Sequence, residues 1–355
     1  MKRCLLLILL LTSMFILSGC WDNKDINHRV MPVVLGVSQK DENYEVYLQI
    51  PQPAGGQIET IVVSGTGKTV NEIVDRISAN MERSVDLLHV KVVVVDRELA
   101  EKGVKDLISG FIRSRDISSK ALFAVIDQDL STFFGAMTSE PKAEGTILLD
   151  FFEKSAGWDP QIALTRIWEV YRSIYSYTND VAVPLMKLGK TTLVEHTGSA
   201  IIKNGVMKGD ISAHKTLLYN AFNGESTLGK IEVLDDASVM ILGEKMKFKG
   251  KLEDDKPVFS LFLKLKVTIL ETINDPSENE IKKELEQLLT ERYQSLFEEM
   301  KESESDILGI GQYFRREIPR DQLKEWRSVY FPELKVNFDI EIDIQNTGNL
   351  KIPKE

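Results

Sequence analysis

The sequence predicts an α/β N-terminal domain followed by an α+β C-terminal region with an antiparallel sheet and a long helix, in a multi-domain chain. Three observations carry this expectation. Between Val30 and Ile126, short β-branched runs alternate with amphipathic helical segments, the pattern of a mostly parallel sheet. From Ile231 onward the runs lengthen and alternate strictly with charge on one side, as strands with one wet face do. The chain has 355 residues, and at ~150 residues per domain that suggests two or three domains.

Val30 to Val37 is apolar and β-branched, and Glu45 to Ile50 alternates as its partner across Asp41-Glu42-Asn43. Pro51, Pro53 and Gly55-Gly56 end that strand, and Ile58 to Val63 makes a third. Thr69 and Glu72 form a Thr-x-x-Glu cap for a helix whose apolar face is Val70, Ile73, Val74, Ile77 and Met81. Val90 to Val95 is continuously apolar, a central strand buried on both faces. A helix carrying Val104, Leu107, Ile108, Phe111 and Ile112 leads to a second buried strand, Ala121 to Ile126.

Asp129 to Thr178 reads as helical, with Phe133, Phe134, Ile147 to Phe152, Ile167, Trp168, Tyr171, Ile174 and Tyr175 at helical spacing. Val181 to Met186 returns to strand. Val194 to Ile202 and Val206 to Ile211 form a hairpin across Lys203-Asn204-Gly205, because Asn-Gly suits the tight turn. A short helix with Leu217, Leu218 and Phe222 ends at Asn223-Gly224. Ile231 to Leu234, Ser238 to Lys249 and Val258 to Ile273 are the expected antiparallel strands, the last two joined at Glu253-Asp254-Asp255. Ser277 opens the long helix of Ile281, Leu285, Leu288, Leu289, Leu296 and Met300. Pro319 to Tyr330 reads as a second helix and Leu334 to Ile344 as a final strand.

The start of the chain has its own chemistry. Lys2 and Arg3 precede an apolar run from Leu5 to Leu17, followed by Leu17-Ser18-Gly19-Cys20. A basic n-region, an apolar h-region and small residues define a secretory signal peptide, and a cysteine directly after them is a bacterial lipobox. A membrane-spanning helix would need ~20 apolar residues, more than this run supplies. Cys20 is therefore the expected site of diacylglyceryl attachment and the first residue of the mature chain. Trp21 suits the headgroup zone of a bilayer. The expected divisions are residues 1–19 as signal peptide, 20–29 as lipidated tether, 30–190 as the N-terminal α/β domain, 191–230 as a small middle domain or hairpin-helix module, and 231–355 as the C-terminal α+β domain.

Composition narrows the function. The formal charge of -10 becomes -12 once Lys2 and Arg3 leave with the signal peptide. An acidic body argues against nucleic acid and against holding anionic lipid by net charge. Of the two cysteines, Cys4 leaves and Cys20 is consumed by lipid, so no disulfide and no free thiol is expected.

Gly65-Thr66-Gly67-Lys68-Thr69, with Val92 to Val95 and Asp96, looks like a nucleotide site. The phosphate-cradling loop needs glycine at the position of Val62, and the stretch is read instead as a Gly-rich turn feeding a capped helix. His28, His89, His196 and His214 lack metal spacing. No Gly-x-Ser-x-Gly elbow is present, and Asp235-Asp236 and Asp254-Asp255 read as solvated turns. No catalytic residue, cofactor or metal site is expected, which leaves Cys20 as the single assigned site residue.

With these residues laid out, the chain resembles the C-subunit lipoproteins of bacterial spore germinant receptors, the Ger(x)C family. Gly19-Cys20-Trp21-Asp22 matches the family's start. His89 with Lys91, Glu98-Leu99-Ala100 with Gly103, and Arg113 to Asp116 match its N-terminal region. Thr197-Gly198-Ser199-Ala200 through Lys203 and Gly209 matches the hairpin that opens its C-terminal region. Asp306, Gly309 and Gly311, then Trp326 and Phe331, match its end. The family often has aromatics around those glycines, where this chain has Ile307, Leu308 and Ile310. The resemblance implies a non-catalytic subunit held by lipid on the outer face of the spore inner membrane, beside integral membrane A and B subunits, in nutrient-triggered germination. The rival expectation is an extracytoplasmic solute-binding lipoprotein of an ABC transporter, which would need two similar α/β lobes. Two close glycines also make the Asp306 to Gln312 loop the expected surface contact for partners.

Overall fold

The computed structural model describes residues 26–54, 57–139, 147–152, 159–225 and 227–346. Cys20, its lipobox and Trp21 lie outside the described residues.

The first sheet has eight strands in the order β10-β9-β8-β7-β6-β2-β3-β4. These are β2 (Val34–Lys40), β3 (Asn43–Ala54), β4 (Gln57–Gly67), β6 (Val92–Asp96), β7 (Leu122–Ile126), β8 (Val181–Leu188), β9 (Val194–Lys203) and β10 (Val206–Ser212). Its centre, β2-β6-β7-β8, is parallel, and antiparallel strands flank it on both sides. Central strands need cover on both faces, and Val92 to Val95 are fully buried, as the unbroken apolar run requires. One face is covered by α1 (Val70–Ala79), α2 (Arg97–Lys102), α3 (Lys105–Ser114) and α6 (Ile167–Tyr175). The other carries α4 (Leu130–Ser139) and α5 (Ile147–Phe152), with Phe133, Phe134, Leu148 and Phe152 in its core.

Two short strands, β1 (Arg29–Val30) and β5 (Ser84–Val85), pair in parallel. Arg29 Nη1 donates to Asp86 Oδ2 at 2.7 Å, so the end of the expected tether is already held against the body.

The hairpin within 191–230 continues the first sheet: β9 pairs with β8 along eight register positions, and β10 closes the edge. Asn204 and Gly205 take positive φ of 53° and 80°, as the two-residue turn demands. The helix α7 (Ala213–Phe222) is capped by the Ser212 hydroxyl and packs into the core of the second half.

That half is a four-stranded sheet, β11 (Ile231–Val233), β12 (Ala237–Glu253), β13 (Lys256–Thr272) and β14 (Lys335–Asn346), in this spatial order. The helix α8 (Glu278–Glu302) starts in a Ser277/Glu280 capping box. Ile281, Leu285, Leu289, Tyr293, Leu296 and Met300 form one buried stripe along it, against the inner sheet face. The α/β-then-α+β reading is borne out, with two differences in detail. First, β14 runs parallel to β13, so the sheet is mixed. Side-chain alternation reports which face is wet and not strand direction. Here α8 carries the chain back, so β14 starts where β13 starts. Second, Pro319 to Tyr330 is no continuous helix. A 3₁₀ turn at Gln322–Glu325 runs into a π turn at Trp326–Tyr330, closed by the Phe331 N–H on the Trp326 carbonyl at 2.7 Å.

The second half shares no architecture with the first, unlike the paired lobes of the solute-binding alternative. Among the described residues no helix is long and apolar enough to cross a membrane.

Candidate functional site

The nucleotide lookalike is resolved by geometry. Gly65 and Gly67 are residues of β4, paired with Val46 and Tyr44, not a turn. They are glycine because α1 lies on them: an added Cβ would come within 2.9 Å of Ile73 at either position. The Thr69 hydroxyl accepts the Glu72 N–H, and the Glu72 carboxylate accepts the N–H of exposed Lys68 at 3.1 Å. Asp96 is likewise occupied, capping α2 by accepting the Leu99 N–H at 2.9 Å. These atoms are spent on helix caps rather than on a phosphate cradle.

The four histidines sit on separate elements, and no group of three His, Cys, Asp or Glu among the described residues could hold a metal.

The groups that do converge form a buried clasp between the two halves. Asp180 lies just before β8 and Asp306 just after α8, and both are fully buried. Each backbone serves the other: the Asp180 N–H donates to the Asp306 carbonyl at 2.8 Å, and the Asp306 N–H to Asp180 Oδ2 at 2.9 Å. Arg327 grips Asp180 with two N–H groups, Nε to Oδ2 at 2.9 Å and Nη2 to Oδ1 at 2.7 Å. Its Nη2 also donates to the Ser176 carbonyl at 2.7 Å. This fork is the geometry in which arginine binds a carboxylate most strongly. Asp306 Oδ1 accepts the Ile310 N–H, and its Oδ2 accepts the Gly311 N–H and the Trp326 indole N–H, each at 2.8 Å. Gln312 reaches back to Thr178, and Lys203 in the hairpin meets Glu304 at 3.0 Å.

Burial pushes the Asp306 carboxyl up to about 7, against the downward pull of the Gly311 and Ile310 N–H groups. The neighbouring Asp180 carboxylate adds to the rise, and the Trp326 indole opposes it. Asp180 is also raised by burial, offset chiefly by Arg327. The clasp is a satisfied polar network whose work is to join segments 126 and 147 positions apart.

This overturns the expectation that Asp306 to Gln312 is an exposed contact loop. Ser305 and Asp306 are fully buried, Ile307, Leu308 and Ile310 lie in the core, and Gly311 is buried. A Cβ on Gly311 would stand 2.7 Å from Thr178 Cβ and 2.8 Å from Trp326 Cε2. Gly309 adopts φ 64°, which lets the chain turn tightly beside Asn179.

Of the residues that carried the resemblance, Lys203, Asp306, Gly309, Gly311 and Trp326 meet at or beside the clasp. Leu99 and Ala100 are core residues, and Gly103 stands against Val206 and Gly205 of the hairpin. His89 and Lys91 are exposed and take no part. Asp180 and Arg327 were invisible to sequence reading, since each is an ordinary charged residue until the fold brings it to the other.

Comparison with known proteins fits this geometry. Residues 22–188 match the family described as Spore germination protein N-terminal domain, and residues 197–348 that described as Spore germination B3/GerAC like, C-terminal. Spore germination protein KC of Bacillus subtilis (strain 168) is 23% identical, over 98% of this chain and 96% of that protein. Spore germination protein B3 of the same organism is 26% identical, over 94% and 95%. The crystal structure of the GerBC protein superposes with a TM-score of 0.59 at 18% identity, covering 88% of this chain and 97% of the other. The fold is therefore a known one, and the first sheet bridges the two matched regions, with β8 in one and most of β9 and all of β10 in the other. Matched in order along both halves, the chain belongs to the spore germination B3/GerAC-like family, the Ger(x)C family that its sequence resembles.

Proposed function

We propose that this chain is the lipid-anchored, non-catalytic C subunit of a spore germinant receptor, acting in nutrient-triggered germination. A diacylglyceryl group on Cys20 anchors it to the outer face of the spore inner membrane, where it works beside integral membrane A and B subunits. The observation that carries the reading is end-to-end similarity to spore germination proteins, over 94–98% of the chain, joined to the lipobox at Leu17-Ser18-Gly19-Cys20. A non-catalytic role is supported by the fate of the reactive-looking groups: Asp96 and Glu72 cap helices, Asp180 is held by Arg327, and the Asp306 carboxylate accepts from the Ile310 and Gly311 N–H groups and the Trp326 indole.

The anchor is tested by Cys20→Ala. Two acyl chains hold a protein stably on a bilayer, so the variant should leave alkali-washed spore membranes and fail to restore germination. A variant that stays in those membranes would refute the anchor. Recovery of the wild-type chain from spore membranes without any integral membrane partner would refute the receptor assignment.

A further inference from the structure

The net charge hides a segregation that the second sheet makes plain. Its inner face, with Val239, Ile241, Phe259, Leu261, Leu263 and Leu265, is buried in the core that α8 covers. Its outward face carries Lys245, Lys247, Lys249 and Lys251 at every second position of β12, and Lys264 and Lys266 on β13. Lys245 stands directly opposite Lys264. Like charges directly opposite cost stability, so folding alone does not favour this ladder. Lys264 meets Glu341 and Lys251 meets Glu253, while Lys247 lies 5.9 Å over the Phe262 ring. Among the described residues Lys245, Lys249 and Lys266 form no ion pair.

Along the same face, past the bulge at Leu242, the side chains turn apolar. Glu232 of β11 points inward to Arg292 of α8 at 2.8 Å, which sends its neighbours Ile231 and Val233 outward. Ile231 lies opposite half-buried Met240, and Val233 is 73% exposed. Leu242 and Ile273 are exposed beside them, Ile273 at 63%. Residues i and i+2 on a strand are ~7 Å apart, so four lysines lay a flat row of cations ~20 Å long that leads to an apolar end.

We propose that this outward face of the second sheet, lysine ladder and apolar end together, docks the body onto an anionic lipid bilayer. A bilayer surface is flat, offers phosphates at headgroup level and accepts apolar side chains just beneath. On β14 the same face carries Asp339, Glu341 and Asp343, which tips the contact toward β11 and β12. Face-to-face pairing with a second copy could use those acids, but with Lys256, Lys335, Glu253 and Glu271 included the face carries eight lysines against five acids, which leaves cations over, whereas an anionic bilayer takes them all. The proposal deepens the membrane reading above, adding a second contact to the lipid, and it is tested without the lipid.

The described cores begin at Val30, so a chain starting at Trp21 keeps all of their side chains. Such a chain is sedimented with vesicles of phosphatidylcholine alone, or of phosphatidylcholine and phosphatidylglycerol in equal parts. Binding should require phosphatidylglycerol and fade as salt rises from ~0.1 to ~1 M, where the Debye length falls from ~10 to ~3 Å. Each lysine near an anionic surface is worth about fivefold in partitioning, so Lys247→Gln with Lys249→Gln should weaken binding about 25-fold. Val233→Ser should cost up to about tenfold more. All three positions are exposed, and the melting temperature should hold. Equal binding to both vesicles, binding to neither, or indifference to the lysine pair would overturn the proposal. A dimer in sedimentation velocity that the lysine pair dissolves would assign the face to a second copy and overturn it too. So would loss of membrane-subunit recovery in that variant without any vesicle binding, which would assign the face to an acidic protein surface. Because the chain in the vesicle assays lacks Cys20, their failure leaves the anchor and the receptor assignment standing.

Discussion

Replacing Arg327 by methionine tests the clasp most directly. The guanidinium supplies two of the hydrogen bonds to Asp180, whose side chain is 0% exposed, and one to the Ser176 carbonyl. Methionine fills much of the space and returns none of them, while the Asp306 N–H still donates to the carboxylate. Removing one partner of a buried pair costs about 3–5 kcal/mol, because the other charge stays buried and uncompensated. In a body of this size that should lower the calorimetric melting temperature by on the order of 5–10 °C. Asp180→Asn keeps an oxygen for the Asp306 N–H and removes the charge, so it should relieve the damage done by Arg327→Met. The double variant should be more stable than the sum of the single losses predicts, by at least about 2 kcal/mol. Urea unfolding of the four proteins gives that coupling. A loss below about 1 kcal/mol for Arg327→Met, or additivity within about 0.5 kcal/mol, would refute the claim that the pair holds the halves together.

Three further expectations follow from the geometry. Asp306 has its folded value near 7, above the ordinary carboxylate range of an unfolded chain, so its contribution is full below about pH 4 and is lost as pH rises through 7. Urea midpoints of the wild type should therefore drop between about pH 5 and about pH 7.5 relative to Asp306→Asn; parallel pH profiles would contradict this. Gly311→Ala forces a methyl against Thr178 and Trp326 and should destabilise by about 1–3 kcal/mol, read as a lower melting temperature before any loss of complex recovery; an unchanged melt would show that the site has room. Lys68→Ala changes an exposed side chain whose N–H, not its amine, serves the helix cap, so stability and germination should hold within about 0.5 kcal/mol and wild-type level respectively; ATP binding lost in the variant would revive the nucleotide reading.

What the sequence disclosed was mostly local. Thr69 with Glu72, Ser277 with Glu280, and Asn204-Gly205 are readable because cap and turn chemistry is decided within a few residues. Val92 to Val95 were readable as central because an unbroken β-branched run cannot tolerate a wet face. Direction and partnership were not readable. The alternation of Leu334 to Ile344 is the same whether the strand runs parallel or antiparallel, and the crossover through α8 decides. The misreading of Asp306 to Gln312 has an identifiable cause. Two close glycines suggest a turn presented to solvent, but Ile307, Leu308 and Ile310 surround them. A lone aspartate in an apolar stretch, followed by a tryptophan whose indole needs an acceptor, was the available signal that the loop is buried. The charge total is silent on such placement, since a net -10 does not show how lysines gather on one face.

The clasp and the shared sheet bear on how such a body could pass a signal. Hairpin strands β9 and β10, most of whose residues fall in the C-terminal family region, complete a sheet begun by the N-terminal one, so the two regions cannot separate without breaking the β8–β9 ladder. The clasp sits at the start of β8, beside the β9–β10 turn, and ties the segment before β8 to the segment after α8. Rocking of the second sheet and α8 against the first sheet would have to strand a buried carboxylate of the clasp, which costs several kcal/mol. A change felt on one half is therefore transmitted to the other as displacement of the whole body rather than as a hinge. If the lysine face of the second sheet rests on the bilayer, the natural output is a change in how the body sits against membrane and neighbouring subunits. That distinguishes it from a clamshell binder, whose response depends on a seam left free to open.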